Sequence, residues 1–189
     1  MPNPAIRYNP TMTAIDHPHP STAQAPGPHR FTRSEYYAMA DAGLFQDCRV
    51  ELIEGEIIDM AAQKDAHAVA ILLLQQALHK AFPDHLIRCQ LPLTLGVRSE
   101  PEPDFAVTAG MPRDFLGTGK HPSTALLLVE IADTSLRLDR GRKASLYARA
   151  GILDYWIINL RDHCVEVRRE PTADPAARLG HRYKTLTTI

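Results

Sequence analysis

Residues 125–160 have the sequence ALLLVEIADTSLRLDRGRKASLYARAGILDYWIINL, and they set the order of elements at the centre of the fold. The apolar run from Ala125 to Ile131 has the length of a central strand that is covered on both faces. A helical pattern begins near Asp139, a candidate N-cap, and ends at Ala150 before a second strand, Tyr155 to Leu160. A strand, a helix and a strand in this order predict a right-handed crossover and a parallel pair of strands.

The sequence before this unit indicates further strands and one long helix. The patterns indicate a hairpin over residues 49–60, a helix over 65–82, and strands over 86–95 and from 104 to 107. Helices and strands therefore alternate along the chain. The fold class predicted from this order is α/β (α+β), with a mixed central β-sheet flanked by helices.

Length and composition predict one folded domain after a tail. The chain has 189 residues, of which 44% are hydrophobic and 23% charged, and this fits a single domain. Residues 1–29 contain seven of the fifteen prolines and few large apolar side chains. Such a segment cannot bury enough surface to offset its ordering entropy, so we expect a tail or arm over 1–29 and a folded domain over 30–189.

Charge, hydropathy and cysteine content exclude several classes of protein. The 21 Lys+Arg and 22 Asp+Glu give a formal net charge of -1, so no overall positive field attracts a polyanion. The apolar runs are far shorter than the roughly 18 residues of a membrane span, and the N-terminus lacks a signal-peptide pattern. Cys48, Cys89 and Cys164 have no CxxC spacing, which predicts neither a disulfide framework nor a zinc ribbon. We expect a cytoplasmic protein that does not enter a membrane.

Three polar residues stand where the pattern favours apolar ones. Asp104 begins a strand after Pro103, Glu130 ends a buried strand, and Lys143 lies on the apolar face of a helix. Two carboxylates and a strand-end carbonyl, for which Ile131 is the candidate, form an oxygen ligand set that suits Mg²⁺ or Mn²⁺. Spacing alone leaves an alternative open, in which Glu130 and Lys143 form a structural ion pair and Asp104 caps a turn.

The order of motifs along the chain adds to this interpretation. The motifs are Pro103-Asp104, Glu130-Ile131-Ala132, Asp139-x-x-x-Lys143-x-x-x-Tyr147 and Gly151-Ile152-x-x-Tyr155-Trp156-Ile157. Together they closely resemble the Uma2 family of proteins assigned as restriction endonucleases, within the PD-(D/E)XK nuclease superfamily. The resemblance covers about residues 31–169 and implies a restriction-endonuclease-like fold and DNA as the partner.

The same resemblance implies roles for individual residues. It gives Asp104 and Glu130 as metal ligands. The chain departs from the superfamily pattern at Ala132, where a lysine is usual, and the resemblance implies that Lys143 on the following helix takes the lysine role. Glu51 resembles the additional acidic residue that many such nucleases bring to the metal site, although a solvated strand position is the alternative.

Two weaker candidates lie on neighbouring elements. Gln90 could orient a water molecule or a phosphate, whereas an exposed polar strand residue is the alternative. His67, near the start of the long helix, could act as a base or as a hydrogen-bond donor, although many such histidines only pack or cap. Arg142 and Arg149 lie seven residues apart on one helical face, where they either contact phosphates or form a solvated surface.

These residues lead to a function and to two alternatives. The leading hypothesis is a Mg²⁺-dependent DNA endonuclease that hydrolyses phosphodiester bonds. The first alternative is a catalytically weak or inactive module of the same fold with a nucleic-acid-binding or regulatory role, because fold alone does not establish activity. The second is a metal-dependent hydrolase of another phosphate ester. A homodimer is expected, since cutting both strands takes two active sites and twofold dimers are the commonest oligomers.

Overall fold

The structure is a computed structural model, which describes residues 26–117 and 120–189. Most of the predicted tail, residues 1–25, lies outside the described residues. Residues 26–29 are exposed and form neither helix nor strand.

A hairpin and a six-stranded sheet form the β structure. The hairpin consists of β1 (Val50–Ile53) and β2 (Glu56–Asp59). The strands of the sheet lie in the order β3 (Leu86–Cys89), β4 (Phe105–Thr108), β5 (Leu127–Ala132), β6 (Asp154–Asn159), β7 (Cys164–Ala173) and β8 (His181–Thr188). The pair β5 and β6 is parallel and the other neighbouring pairs are antiparallel. The predicted mixed sheet and its parallel pair are both confirmed.

Helices cover both faces of this sheet. They are α1 (Arg33–Asp41), α2 (Asp65–Ala81), α3 (Leu136–Leu138) and α4 (Ala144–Arg149), with a π-helical turn (Asp139–Lys143) between the last two and a short 3₁₀ helix (Pro112–Phe115). Alternate side chains of β5 belong to two different hydrophobic cores, one on each face of the sheet, because successive side chains of a strand point to opposite faces. Val129 packs on the side of α2, and Leu128 packs on the side of α4. No helix in the described ranges is long and apolar enough to cross a membrane.

The third strand is shorter than predicted. The alternating pattern indicated a strand from Leu86 to Leu95, but β3 ends at Cys89. Gln90 has a φ of 51°, in the left-handed region that an L residue cannot adopt within a strand. The backbone amide of Gln90 donates to the backbone carbonyl of Asp104 at 3.0 Å, so the chain turns away directly beside β4.

The helix after β5 begins earlier than predicted, and Asp139 is not its N-cap. Asp139 lies within the π-helical turn that α3 precedes. In an α-helix each fourth residue drifts by about 40° around the axis. A wider π turn advances by a smaller angle per residue and offsets that drift. Asp139, Lys143 and Tyr147 therefore stay on one buried face.

Gly141→Ala is expected to raise the free energy of unfolding by about 0.5–1 kcal/mol, since glycine is a poor helix former. The glycine lies in the π-helical turn at a negative φ, and an added Cβ would meet no atom of the described residues within 4 Å beyond the adjoining backbone of its own helix. Urea denaturation followed by circular dichroism measures the change. A loss of stability would show that the π-helical turn needs the flexibility of glycine.

Candidate active site

A cavity of about 320 Å³ lies beside the adjoining ends of β4 and β5. Seven candidate residues from the sequence line it: Glu51, His67, Gln90, Asp104, Glu130, Ile131 and Lys143. The strands β4 and β5 are neighbours, and their register pairs Phe105 with Val129. That register places Asp104, which precedes β4, opposite Glu130.

Three donors hold the carboxylate of Asp104. The side-chain amide of Gln90 donates to Oδ1 at 3.1 Å, and the backbone amide of Ile131 donates to Oδ2 at 2.8 Å. Nε2 of His67 lies 3.2 Å from the same Oδ2. Burial alone would raise the pKa of Asp104, but these hydrogen bonds outweigh burial and lower it. Asp104 is therefore held as an oriented anion.

Lys143 lies between two buried carboxylates of the same cavity. Its Nζ is 3.0 Å from Oε1 of Glu51 and 3.1 Å from Oε1 of Glu130. The Tyr147 hydroxyl donates to the same oxygen of Glu130 at 2.7 Å, and Oε2 of Glu51 accepts from the amide of Glu102 at 3.1 Å. Glu51 is thus buried and bonded rather than solvated.

Burial and neighbouring charges together set the pKa values of Glu130 and Lys143. Burial raises the pKa of Glu130 well above its usual range, because the attraction of Lys143 only partly offsets the loss of solvent. Burial would lower the pKa of Lys143, but the charges of Glu130 and Glu51 outweigh it and raise that pKa. Both pKa shifts are consistent with a charged Lys143. The pKa of Glu130 can rise beside it because one ammonium, shared by several carboxylates, cannot offset the burial of each of them.

His67 and Gln90 act on Asp104 rather than facing solvent. The hydrogen bond to Asp104 raises the pKa of His67, although burial opposes this. Nδ1 of His67 is buried and has no hydrogen-bond partner among the described residues. Gln90 is half-buried, and its left-handed φ directs the side chain to Asp104. A role for Gln90 in orienting a water molecule or a phosphate remains a prediction.

Asp139 is a fourth buried carboxylate of the cavity, and the sequence interpretation missed this role. Its Oδ2 accepts from the Ser135 hydroxyl at 2.6 Å, whereas its Oδ1 has no partner among the described residues. Burial raises the pKa of Asp139 to about 6, because Lys143 and Ser135 offset burial only in part. The spacing Asp139, Lys143, Tyr147 was the signal in the sequence that could have found it.

Asp139→Asn is expected to stabilise the protein at neutral pH. A carboxyl whose pKa rises on folding, here from 3.8 to about 6, binds its proton more tightly in the folded state. The parent therefore loses stability as the pH rises from about 4 to about 6, by an amount on the order of 2 kcal/mol. The variant should be more stable than the parent at pH 7.5 and equal to it near pH 4. Urea denaturation across this pH range measures both, and equal pH profiles would contradict the assignment.

The cavity is acidic. Among the described residues, seven carboxyl side chains line it: Glu51, Asp59, Glu102, Asp104, Glu130, Asp133 and Asp139. The three Lys and Arg side chains that also line it are each ion-paired, Arg49 with Glu102, Lys64 with Asp133 and Lys143 as described. An excess of negative charge attracts cations.

The donors present fit a magnesium or manganese ion. Within residues 26–117 and 120–189, no three His, Cys, Asp or Glu side chains are grouped to hold a metal by themselves. Mg²⁺, however, is usually bound by one or two carboxylates, with water and substrate phosphate supplying the remaining ligands. Asp104 and Glu130 satisfy that requirement in an acidic cavity. The role of the Ile131 carbonyl remains a prediction, while the Ile131 amide is occupied by Asp104.

The two arginines that could have contacted phosphates each form an ion pair within the protein, Arg142 buried and Arg149 at the surface. Arg142 is buried and pairs with Glu56 and with the carbonyl of Ile53. Arg149 pairs with Glu54. The hairpin of β1 and β2 lies against this face of the helix, so the helical pattern alone could not show that both arginines are taken.

Comparison with known proteins identifies the family. The profile of the Uma2 family, described as "putative restriction endonuclease", matches residues 33–184. The chain belongs to the Uma2 family. The resemblance noted from the motifs is thereby confirmed.

This Uma2 protein is similar in fold to a solved structure from Anabaena variabilis. That crystal structure is described as a "putative nuclease belonging to DUF820"; the TM-score is 0.58, and the match covers 76% of this chain and 77% of the other. The two sequences are 18% identical, so the likeness establishes the fold alone. No curated protein matches the chain significantly.

Proposed function

We propose that this Uma2 protein is an endonuclease that hydrolyses phosphodiester bonds of DNA with Mg²⁺ or Mn²⁺ as its cofactor. The observation that carries this proposal is the presence of Asp104, Glu130 and Lys143 in one acidic cavity. Membership of a family described as restriction endonucleases supports it.

Each residue has a role that follows from its contacts. Asp104 and Glu130 would hold the ion, which supplies a Lewis acid for the phosphoryl group and lowers the pKa of a bound water. Gln90, His67 and the Ile131 amide fix the orientation of Asp104. The ammonium of Lys143 stabilises negative charge that develops on the phosphate.

Glu51 and Tyr147 support this arrangement. Glu51 accepts from Lys143 and from the Glu102 amide, so it holds the ammonium near Glu130. Tyr147 donates to Glu130 from the same helical face. Because these groups are buried, they cost little reorganisation during the reaction.

One observation favours the alternative of a weakly active module. Among the described residues that line the cavity, carboxyl side chains outnumber Lys and Arg by seven to three, so the cavity has no excess of positive charge to attract DNA. In that case the domain would bind or regulate without efficient cleavage.

Cleavage of supercoiled plasmid and of single-stranded DNA tests the proposal. With Mg²⁺ or Mn²⁺ we expect nicked or linear products from the parent, and none from Glu130→Ala purified in the same way. Intact DNA under all conditions would favour the alternative. Equal cleavage by parent and variant would indicate a contaminating nuclease.

A further inference from the structure

The outward face of α2 is apolar although nothing in the described structure covers it. The inward face of this helix packs Ile71, Leu74 and Leu78 against the sheet. On the outward face Leu72 and Leu73 are 61% and 63% exposed, and Val69 is 54% exposed. A surface helix usually has a polar outer face, so this apolar strip indicates a contact with another surface.

Charged residues stand at both ends of the same strip. At about 100° per residue, Asp65 and Lys80 lie on the face that carries Val69 and Leu72. Neither forms an ion pair with another described residue. The strip therefore has a negative end, an apolar centre and a positive end.

The spacing of these residues is symmetric. Asp65 lies seven residues before Leu72, and Lys80 lies seven residues after Leu73. Consider two antiparallel copies of α2 related by a twofold axis that passes between Leu72 and Leu73. This axis would place Leu72 of one copy against Leu73 of the second. The same axis places Asp65 of one copy beside Lys80 of the second. A parallel pair would instead set like charges together.

We infer that the outward face of α2 is the dimer interface of this protein, with a second copy of the chain packed antiparallel on it. Asp65, the two leucines and Lys80 satisfy the self-complementarity that a twofold interface requires, and the same axis sets Val69 of one copy against the exposed Gln76 of the second. A 17-residue helix offers a strip about 25 Å long and about 10 Å wide. This is less than the ~800 Å² per subunit of a standard interface, so the pair is a weak dimer.

This pairing does not depend on the proposed reaction, yet it has a consequence for it. His67, beside the cavity, lies five residues before Leu72. In the antiparallel pair the two copies of His67 are therefore about 16 Å apart along the helix axis. His67 lies on the face of α2 opposite the strip, so the two cavities lie on opposite sides of the helix pair, and the axial distance understates their separation.

Sedimentation equilibrium of the full chain over about 1–100 µM tests the interface. We expect a monomer–dimer equilibrium for the parent and a monomer for Leu72→Glu, an exposed substitution whose fold circular dichroism can verify. A parent that is monomeric throughout, or a Leu72→Glu protein that still dimerises, would overturn the inference. Those results would leave α2 as a surface for a different occupant.

Charge reversal tests the antiparallel register. Asp65→Lys and Lys80→Asp alone each set like charges together twice per dimer, so each should weaken dimerisation about tenfold. The double variant Asp65→Lys/Lys80→Asp restores opposite charges and should return to within about threefold of the parent. Asp47→Lys, an exposed reversal outside α2, controls for net charge and should leave the dimer unchanged. Failure of the double variant to recover would exclude this register.

Discussion

Lys143→Ala is expected to lower the single-turnover rate of DNA cleavage by about 100-fold or more. A preorganised donor that faces developing charge is worth roughly 3 kcal/mol, which corresponds to about two orders of magnitude in rate. The other Lys and Arg side chains that line the cavity, Arg49 and Lys64, are paired with carboxylates and cannot take its place. Rate constants measured with enzyme in excess over plasmid, at saturating Mg²⁺, test this.

The same substitution should also destabilise the fold. It leaves Glu51 and Glu130 buried without a cation, which costs about 3–5 kcal/mol and lowers the melting temperature by about 10 °C. Arg142→Ala is the matched control, because this buried arginine pairs with Glu56 and does not line the cavity. It should lose comparable stability and keep the parental rate well below its melting temperature. A Lys143→Ala protein that is destabilised yet cleaves normally would end the catalytic assignment.

The main residues of the cavity could be predicted because each one breaks the pattern of its own element. Glu130 interrupts an apolar strand, Lys143 occupies an apolar helical face, and Asp104 follows a proline at the start of a strand. A buried charge requires a partner, so these three positions indicated one another. The strand, helix, strand order predicted only the parallel pair of β5 and β6. That β4 pairs with β5, and so sets Asp104 opposite Glu130, did not follow from that order.

The rest depends on contacts that no local pattern encodes. His67 meets Asp104 across 37 residues of sequence, and Arg149 meets Glu54 across 95. Helical periodicity places a side chain on a face, but it does not show which element packs there. In the π-helical turn the backbone forms i→i+5 hydrogen bonds in place of i→i+4 ones, and composition does not signal this change. Because of that turn, Asp139 lies in the cavity and not at a helix end.

Asp104→Asn and Glu130→Gln are each expected to reduce cleavage by at least about three orders of magnitude. The double variant should lose little more than either single variant, because both substitutions disable one metal site and such losses do not add. In each variant the affinity for Mn²⁺, measured by calorimetry without DNA, should fall by at least about tenfold. Additive losses in rate would show that the two carboxylates act in separate steps.

The titration of His67 separates the two substitutions independently of activity. The pKa of His67 is raised chiefly by its hydrogen bond to Asp104, so Asp104→Asn should lower that pKa. Glu130→Gln replaces a carboxylate that bonds to Lys143 and Tyr147 instead, and it should leave the histidine titration close to that of the parent. Proton NMR of the histidine ring from pH 5 to 9, without metal, follows both. Both variants should lose metal affinity, but only Asp104→Asn should lower the pKa of His67. A lowered pKa in both would mean that Glu130→Gln displaces Asp104. The effect of Glu130→Gln on cleavage could then not be assigned to the loss of its own carboxylate.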